Sequence, residues 1–352
     1  MKRLFFAIAL VAVSCLSMSA CATDSKKESS SESMSACAIA KPEAPERQGW
    51  EDPLYGDVES VAVTKYKLEE KSGEVVRGDI EDCEKYYFNK AGDVIEKANY
   101  NSDGSFWYKL IYKYDASGSK IEEAYYDSYG LLIDKTIYKY DASGNKIEEA
   151  NYNSDGSLME KGICKYDTSG NMIEEASYWS NGPLIDKTIY KYDASGNKIE
   201  EAQYNSDGSL GYKYIWKYDA SGNMIWAWYD SDGSLDEKYT LKYDTSGNMI
   251  ERAYYNSDGS LRGKFIYKYD ASGNMIEEAD YNSDGSLWDK YINKYDASGN
   301  MIERAFYNSD GSLDWKRIYK YDASGNMIEK TEYPGEALLP IIQTVYEITY
   351  RK

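Results

Sequence analysis

The sequence predicts an all-β protein of tandem antiparallel β-hairpins joined into one long twisted or coiled β-meander sheet. Three observations carry that expectation. A Tyr-Asp core recurs at Tyr114, Tyr140, Tyr166, Tyr192, Tyr218, Tyr243, Tyr269, Tyr295 and Tyr321, a step of 140 − 114 = 26 residues, with one shorter step of 243 − 218 = 25. Each unit holds two turn signals, and the runs between them alternate as strands do. A fixed period of this length marks one supersecondary unit stacked many times.

Taken in order, residues 1–20 read as an export signal, with Lys2 and Arg3 ahead of the short apolar run Leu4 to Leu16. That run is too short to span a bilayer as a helix. The small residues ending at Cys21 resemble a bacterial lipoprotein box, with Met18 where leucine is usual, which implies lipid attachment at Cys21. Cleavage after Ala22, in the A-x-A-like Ala20-Cys21-Ala22, is the alternative. Residues 21–50 are rich in Ser, Glu, Lys, Ala and Pro and are expected to form a tether. Residues 51–86 are expected to form an N-terminal β cap, 87–333 the hairpin array, and 334–352 a capping strand. Atypical terminal elements are what a repeat stack needs to cover its edges.

Within a unit, Asp141-Ala142-Ser143-Gly144-Asn145 and Asn153-Ser154-Asp155-Gly156-Ser157 share one turn pattern. Asp or Asn opens a type I turn, and Gly takes the left-handed fourth position that a β-carbon disfavours. This is a three-residue hairpin loop, so Tyr140 is expected opposite Lys146 and Tyr138 opposite Glu148. Across the second turn the same reasoning sets Tyr152 against Leu158, Glu149 against Lys161 and Ile147 against Ile163. Alternation then predicts one face with Tyr138, Tyr140, Ala150, Tyr152 and Leu158, with Glu148 among them. The other carries Ile147 and Ile163 among Lys139, Lys161 and Glu149. On the order of twenty strands roughly 4.8 Å apart would make an open sheet about 100 Å long, and twist makes so long a flat sheet improbable, so coiling or curling is expected.

The recurring YDASGN, with an apolar residue two positions on, resembles the YD repeats of Rhs proteins and related bacterial surface proteins over about residues 87–333. The resemblance implies β-hairpin sheets that wrap into shells, in proteins often described as carbohydrate-binding or toxin-encapsulating. No toxin domain is expected here. NSDGSL is also similar to part of the aromatic cell-wall-binding repeats.

Removing Lys2 and Arg3 with the signal leaves 41 − 2 = 39 basic against 60 acidic residues, a charge of −21. That balance disfavours nucleic acid and anionic lipid surfaces as partners. The chain has no histidine, so the commonest general base is missing. The Glu pairs 148–149, 174–175, 200–201 and 277–278 lie on adjacent strand residues and point to opposite faces, so no pair can act on one atom. Anchoring Gly156 at the sixth position of a calcium loop places Asn151, Asn153 and Asp155 at ligand positions but Gly162 where the bidentate Glu belongs. No catalytic residue, metal or cofactor is therefore expected. Cys37, Cys83 and Cys164 have no motif spacing, and Cys164 stands where most other copies have an aromatic residue.

Tryptophans at variable positions are the candidate ligand contacts: Trp107 and Trp288 at equivalent places, Trp315 one residue further along, and Trp226 and Trp228 in the unit that has lost a residue. The expected function is a non-enzymatic, lipid-anchored envelope protein, in the outer membrane or at the cell surface. It would bind an envelope or host surface protein through its acidic sheet. The alternatives are glycan or cell-wall binding through exposed aromatics, and a structural envelope role.

Overall fold

In the computed structural model the described residues are 50, 53–219, 223–336 and 339–352. The signal segment, Cys21 and Cys37 lie outside them. The fold is all-β. After β1 (Val58–Lys71) and β2 (Glu74–Phe88) come β3 (Val94–Tyr100), β4 (Phe106–Tyr114), β5 (Lys120–Tyr126), β6 (Leu132–Tyr140), β7 (Lys146–Asn153), β8 (Leu158–Tyr166), β9 (Met172–Trp179) and β10 (Leu184–Tyr192). The array continues with β11 (Lys198–Asn205), β12 (Leu210–Tyr218), β13 (Met224–Tyr229), β14 (Leu235–Tyr243), β15 (Met249–Tyr255) and β16 (Leu261–Tyr269). It ends with β17 (Met275–Asn282), β18 (Leu287–Tyr295), β19 (Met301–Asn308), β20 (Leu313–Tyr321), β21 (Met327–Pro334) and β22 (Ile342–Tyr350). Each strand pairs antiparallel with the next, and β1 also pairs with β22, so the 22-stranded sheet closes on itself. Closure removes the two free edges that an open meander would expose.

The turns form as their residues dictate. Asp141 N–H donates to Asn145 O at 2.9 Å, Gly144 N–H to Asp141 O at 3.1 Å, and Gly144 sits at φ 85°. The pairs next to the turns, Tyr140 with Lys146 and Tyr152 with Leu158, are as expected. Beyond them the register differs by one residue. Tyr138 pairs with Glu149 rather than Glu148, Lys161 with Ala150 rather than Glu149, and Ile163 with Glu148 rather than Ile147. Ile147 and Met159 are each the extra residue of a β-bulge, leaving two residues opposite one.

The bulges reassign the faces. Tyr138, Tyr140 and Glu149 share one face, whereas Glu148, Ala150, Tyr152 and Leu158 lie on the other with Lys139, Lys161 and Ile163. The single tyrosine-rich face expected from strict alternation is therefore split. Next to the bulges the tyrosine of each Tyr-Asp core takes on a structural task. Its hydroxyl donates to the carbonyl 20 residues earlier, as Tyr140 does to Lys120 and Tyr166 to Lys146, at 2.7–3.1 Å from Tyr114 to Tyr321 wherever the contact occurs. The ladder between β5 and β6 reaches only Glu122–Ile137 at that end, so the phenol supplies a hydrogen bond that the backbone leaves unmade.

The shortened unit shows what the bulge does. β12 and β13 pair without a register shift, Tyr218 with Met224, Lys217 with Ile225 and Trp216 with Trp226. The missing residue is the bulge residue, so the deletion straightens one hairpin and leaves every side chain beyond it on its proper face. Lys217 opposes Ile225 where other copies oppose lysine to glutamate.

The seam holds the one compact apolar cluster among the described residues: Leu54, Val58, Val61, Phe88 and Val94, backed by Trp50, Tyr86, Tyr112, Tyr346 and Ile348. Trp50 sets its ring edge-on to Tyr86 at 4.9 Å and to Phe88 at 5.8 Å. Fully buried Asn326 bonds both backbone polar groups of Tyr55, and Arg351 reaches Asp57 and the carbonyls of Phe88 and Asn89.

Candidate functional site

Once the bulges are placed, the copies can be compared column by column, and within the strands their differences fall mainly on one face, with the bulge column as a second variable set. The constant face repeats Lys135, Ile137, Lys139, Glu148, Ala150, Tyr152 and Leu158 with few exceptions, among them Phe106, Thr240 and Thr331. Each of these residues has a packing reason to stay. Ala124, Ala150, Ala176, Ala202, Ala253, Ala279 and Ala305 are all buried, each between flanking strands, and Thr331 is the larger side chain in that column. Lys139 pairs with Glu148 at 2.6 Å, and the equivalent bridge recurs from Lys113–Glu122 to Lys320–Glu329. Lys135 lies over the Tyr152 ring at 5.9 Å, and its counterparts repeat that contact.

The variable face has two chemistries. From β5 to β11 it is polar and acidic. Lys146 bridges to Glu149 at 2.6 Å and approaches the Tyr138 ring at 5.9 Å, Thr136 Oγ1 donates to Asn151 Oδ1, and Asn151 Nδ2 to Glu160 Oε1 at 3.1 Å. Burial, with Glu123 and Glu149 beside it, pushes the Tyr138 phenol up to about 12. Burial works to lower the Lys146 ammonium, but Glu149 outweighs it and holds the net value above the ordinary lysine range. Three variable positions shrink together here: Gly162 directly opposite Ser177, and Cys164 two residues along. They leave a hollow of about 120 Å³ lined by Lys146, Glu149, Glu160 and Glu175.

From β12 to β21 the same face is aromatic and guanidinium-rich. Trp226 stacks on Tyr214 at 5.2 Å and meets Tyr239 at 4.5 Å, and the row runs on through Tyr254 to Phe265. A second row joins Tyr291, Phe306 and Trp315. Arg252 lies over Phe265 at 4.5 Å and Arg304 over Tyr291 at 4.4 Å. Their Nε atoms, and Trp228 Nε1, are buried without a hydrogen bond. Asp280 and Asp289 stand directly opposite each other, and burial pushes both carboxyls up, with Asp280 adding to the rise at Asp289.

The five candidate tryptophans separate into two groups. Trp226, Trp228 and Trp315 are variable-face residues turned against neighbouring rings. Trp107 and Trp288 sit at bulges beside the Asn-Ser-Asp-Gly-Ser turns and are 56% and 61% exposed. Trp107 leans on Tyr108 at 5.0 Å. Sequence reasoning passed over Trp216, Tyr214, Arg252 and Arg304, which column-by-column comparison of the copies would have found.

Residues 281–333 match the family described as a protein of unknown function, DUF2963. No curated protein matches the chain. Similar solved structures include YD-repeat-like toxin chains. The Photorhabdus luminescens Tc holotoxin pore is 12% identical, with a TM-score of 0.24, covering 74% of this chain and 19% of that one. The TcdB2-TccC3 complex gives the same figures, so the chain spans about a fifth of those toxin chains. A porin-like protein from Bacteroides uniformis is 11% identical, with a TM-score of 0.31, covering 83% of this chain and 98% of that one.

Proposed function

We propose that the protein is a non-enzymatic binding module whose variable face recognises a protein partner while its constant face maintains the ring. The supporting observation is that, within the strands and apart from the bulge column, near-identical copies differ mainly at positions that share one face. Packing fixes the other face, and drift at free positions would not sort aromatics and arginines into one half and small polar residues into the other. Buried aromatic and arginine anchors are the residue types that dominate protein recognition. The glycan reading draws less support from Trp226, Trp228 and Trp315, whose ring faces turn to neighbouring rings, and rests on Trp107 and Trp288. An export signal over residues 1–20 and lipidation at Cys21 would hold the module at the bacterial envelope.

The test is binding of the purified protein to a panel of extracellular-matrix proteins, glycans and peptidoglycan. Saturable binding to a protein, weakened at least about tenfold by Trp228→Ala or Arg304→Ala, is expected. Binding to sugars alone, or protein binding that ignores both substitutions, would overturn the reading.

A further inference from the structure

The variable face does not account for the rim formed by the Asn-Ser-Asp-Gly-Ser turns. Between β4 and β10 that rim carries Trp107, Tyr129, Leu131, Ile133, Met159 and Trp179, all exposed, with Tyr129 at 87% and Leu131 at 64%. The turns do not need these side chains. In the ordinary turn Asp155 Oδ1 accepts from Ser157 N and Oγ, and Asn153 Nδ2 donates to Ser157 Oγ. At 127–131 the Asp and Ser places are Tyr129 and Leu131, and Asp127 Oδ1 takes both backbone N–H groups instead. At 179–183 the opening Asn is Trp179 and the closing Ser is Pro183. Ser180 N–H donates to Met159 O at 2.9 Å, tying this turn to the neighbouring bulge. The bulge column is Trp107, Ile133, Met159 and Ile185 here, but Gly211, Asp236, Arg262, Trp288 and Asp314 beyond β11, where Trp288 is the one large apolar side chain. Apolar surface is thus concentrated on one sector of one rim, with Trp288 the exception, and no described residue covers it.

We propose that this crest is a second docking site, separate from the variable face, for a protein surface with an apolar hollow edged by lysine or arginine. Charge complementarity selects that occupant. Asp103, Asp127, Asp134 and Asp155 flank the crest, whereas the nearby lysines are directed to the constant face, Lys109 onto Glu96 and Lys135 over Tyr152. An acidic margin repels anionic lipid and gains nothing from a zwitterionic one, but it matches a basic protein margin. Exposed apolar patches mark interaction sites.

The test pans a random peptide library displayed on phage against the purified protein. Two variants serve as comparisons. One is Tyr129→Asp/Leu131→Ser/Trp179→Asn, which restores the ordinary turn residues, and the other is Trp228→Ala on the variable face. Enriched peptides should combine aromatic or aliphatic residues with Lys or Arg. They should bind the rim variant at least about tenfold more weakly and the face variant within about twofold of the parent. Unchanged melting of the rim variant shows that the loss is not unfolding. Absence of such enrichment, or peptides that still bind the rim variant, overturns the proposal. So does flotation of the parent but not the rim variant with phosphatidylcholine vesicles, which would make the occupant a lipid surface. Peptides lost only in the face variant would overturn the crest and leave the variable-face reading standing.

Discussion

The hairpins from β5 to β11 and those from β12 to β21 share a constant face of the same lysines, glutamates, alanines and tyrosines, yet their other faces have little in common. Glu149, Asn151, Gly162 and Ser177 are small, polar or acidic; Trp226, Trp228, Phe265 and Phe306 hold the same columns in the second region. The rim divides the opposite way, apolar beside the polar half and mostly polar beside the aromatic half. One scaffold therefore carries two chemistries, because most of the contacts that hold the ring together lie on the face that stays constant, the tyrosine latch beside the turns being the exception. Strand alternation makes that division possible, and the bulges decide which residues fall on which side.

The sharpest way to break this comparison uses two neighbours on opposite faces. Ala176→Leu, on the constant face, should destabilise by about 1–3 kcal/mol, the cost of overpacking a filled site. Ser177→Leu points into the hollow beside Gly162 and should change stability by less than about 0.5 kcal/mol. Urea unfolding reads both, and equal losses would show that the faces do not differ.

A smaller effect is expected at the inter-unit latch. Tyr192→Phe removes a hydroxyl that donates to Met172 O at 2.9 Å and should cost about 1 kcal/mol. A variant as stable as the parent would leave the latch without weight.

Deleting Ile173, a bulge residue in the polar half, should convert its hairpin to the straight register that β12 and β13 already use. Retained melting and an unbroken strand register, followed by backbone amide exchange, are expected. Unfolding of the hairpins beyond β9 would show that the natural deletion is tolerated for another reason.

The aromatic half carries one electrostatic liability. Asp289→Asn relieves the repulsion from Asp280 opposite it and should stabilise by about 0.2–1 kcal/mol at neutral pH. Both carboxyls are raised on folding. The penalty is therefore full above the raised value and vanishes as pH falls below the ordinary aspartate range, where parent and variant should melt together. A gain that persists in acid would point to packing instead.

The turn aspartates run the other way. Side-chain and backbone hydrogen bonds hold Asp141 and Asp155 below the ordinary range. Their contribution is full at neutral pH and is lost as pH falls through the lowered values. Asp155→Asn should therefore flatten the acid limb of the unfolding profile slightly, and an unchanged limb would count against it.

Much of the fold was legible in the sequence. The 26-residue spacing, the Asp-to-Gly turns and the pairs Tyr140–Lys146 and Tyr152–Leu158 all follow from turn chemistry. The bulges at Ile147 and Met159 did not follow, because the Glu148-Glu149 doublet offers a lysine partner in either register and so conceals a slip of one residue. Closure of the ring was not legible either, since it rests on β1 meeting β22 across the whole length of the chain. Of the candidate site, the tryptophans could be read from their irregular placement. The variable face could not be read until the bulges had assigned each column to a side.

The most direct test of the account is a saturation scan of residues 172–192, read out by protease resistance. The account predicts an alternating record: losses at Glu174, Ala176, Tyr178, Lys187, Ile189 and Lys191, and tolerance at Glu175, Ser177, Asp186 and Thr188. Equal intolerance on the two faces would contradict it, since the variable face would then be part of the scaffold and no longer free to specify a partner.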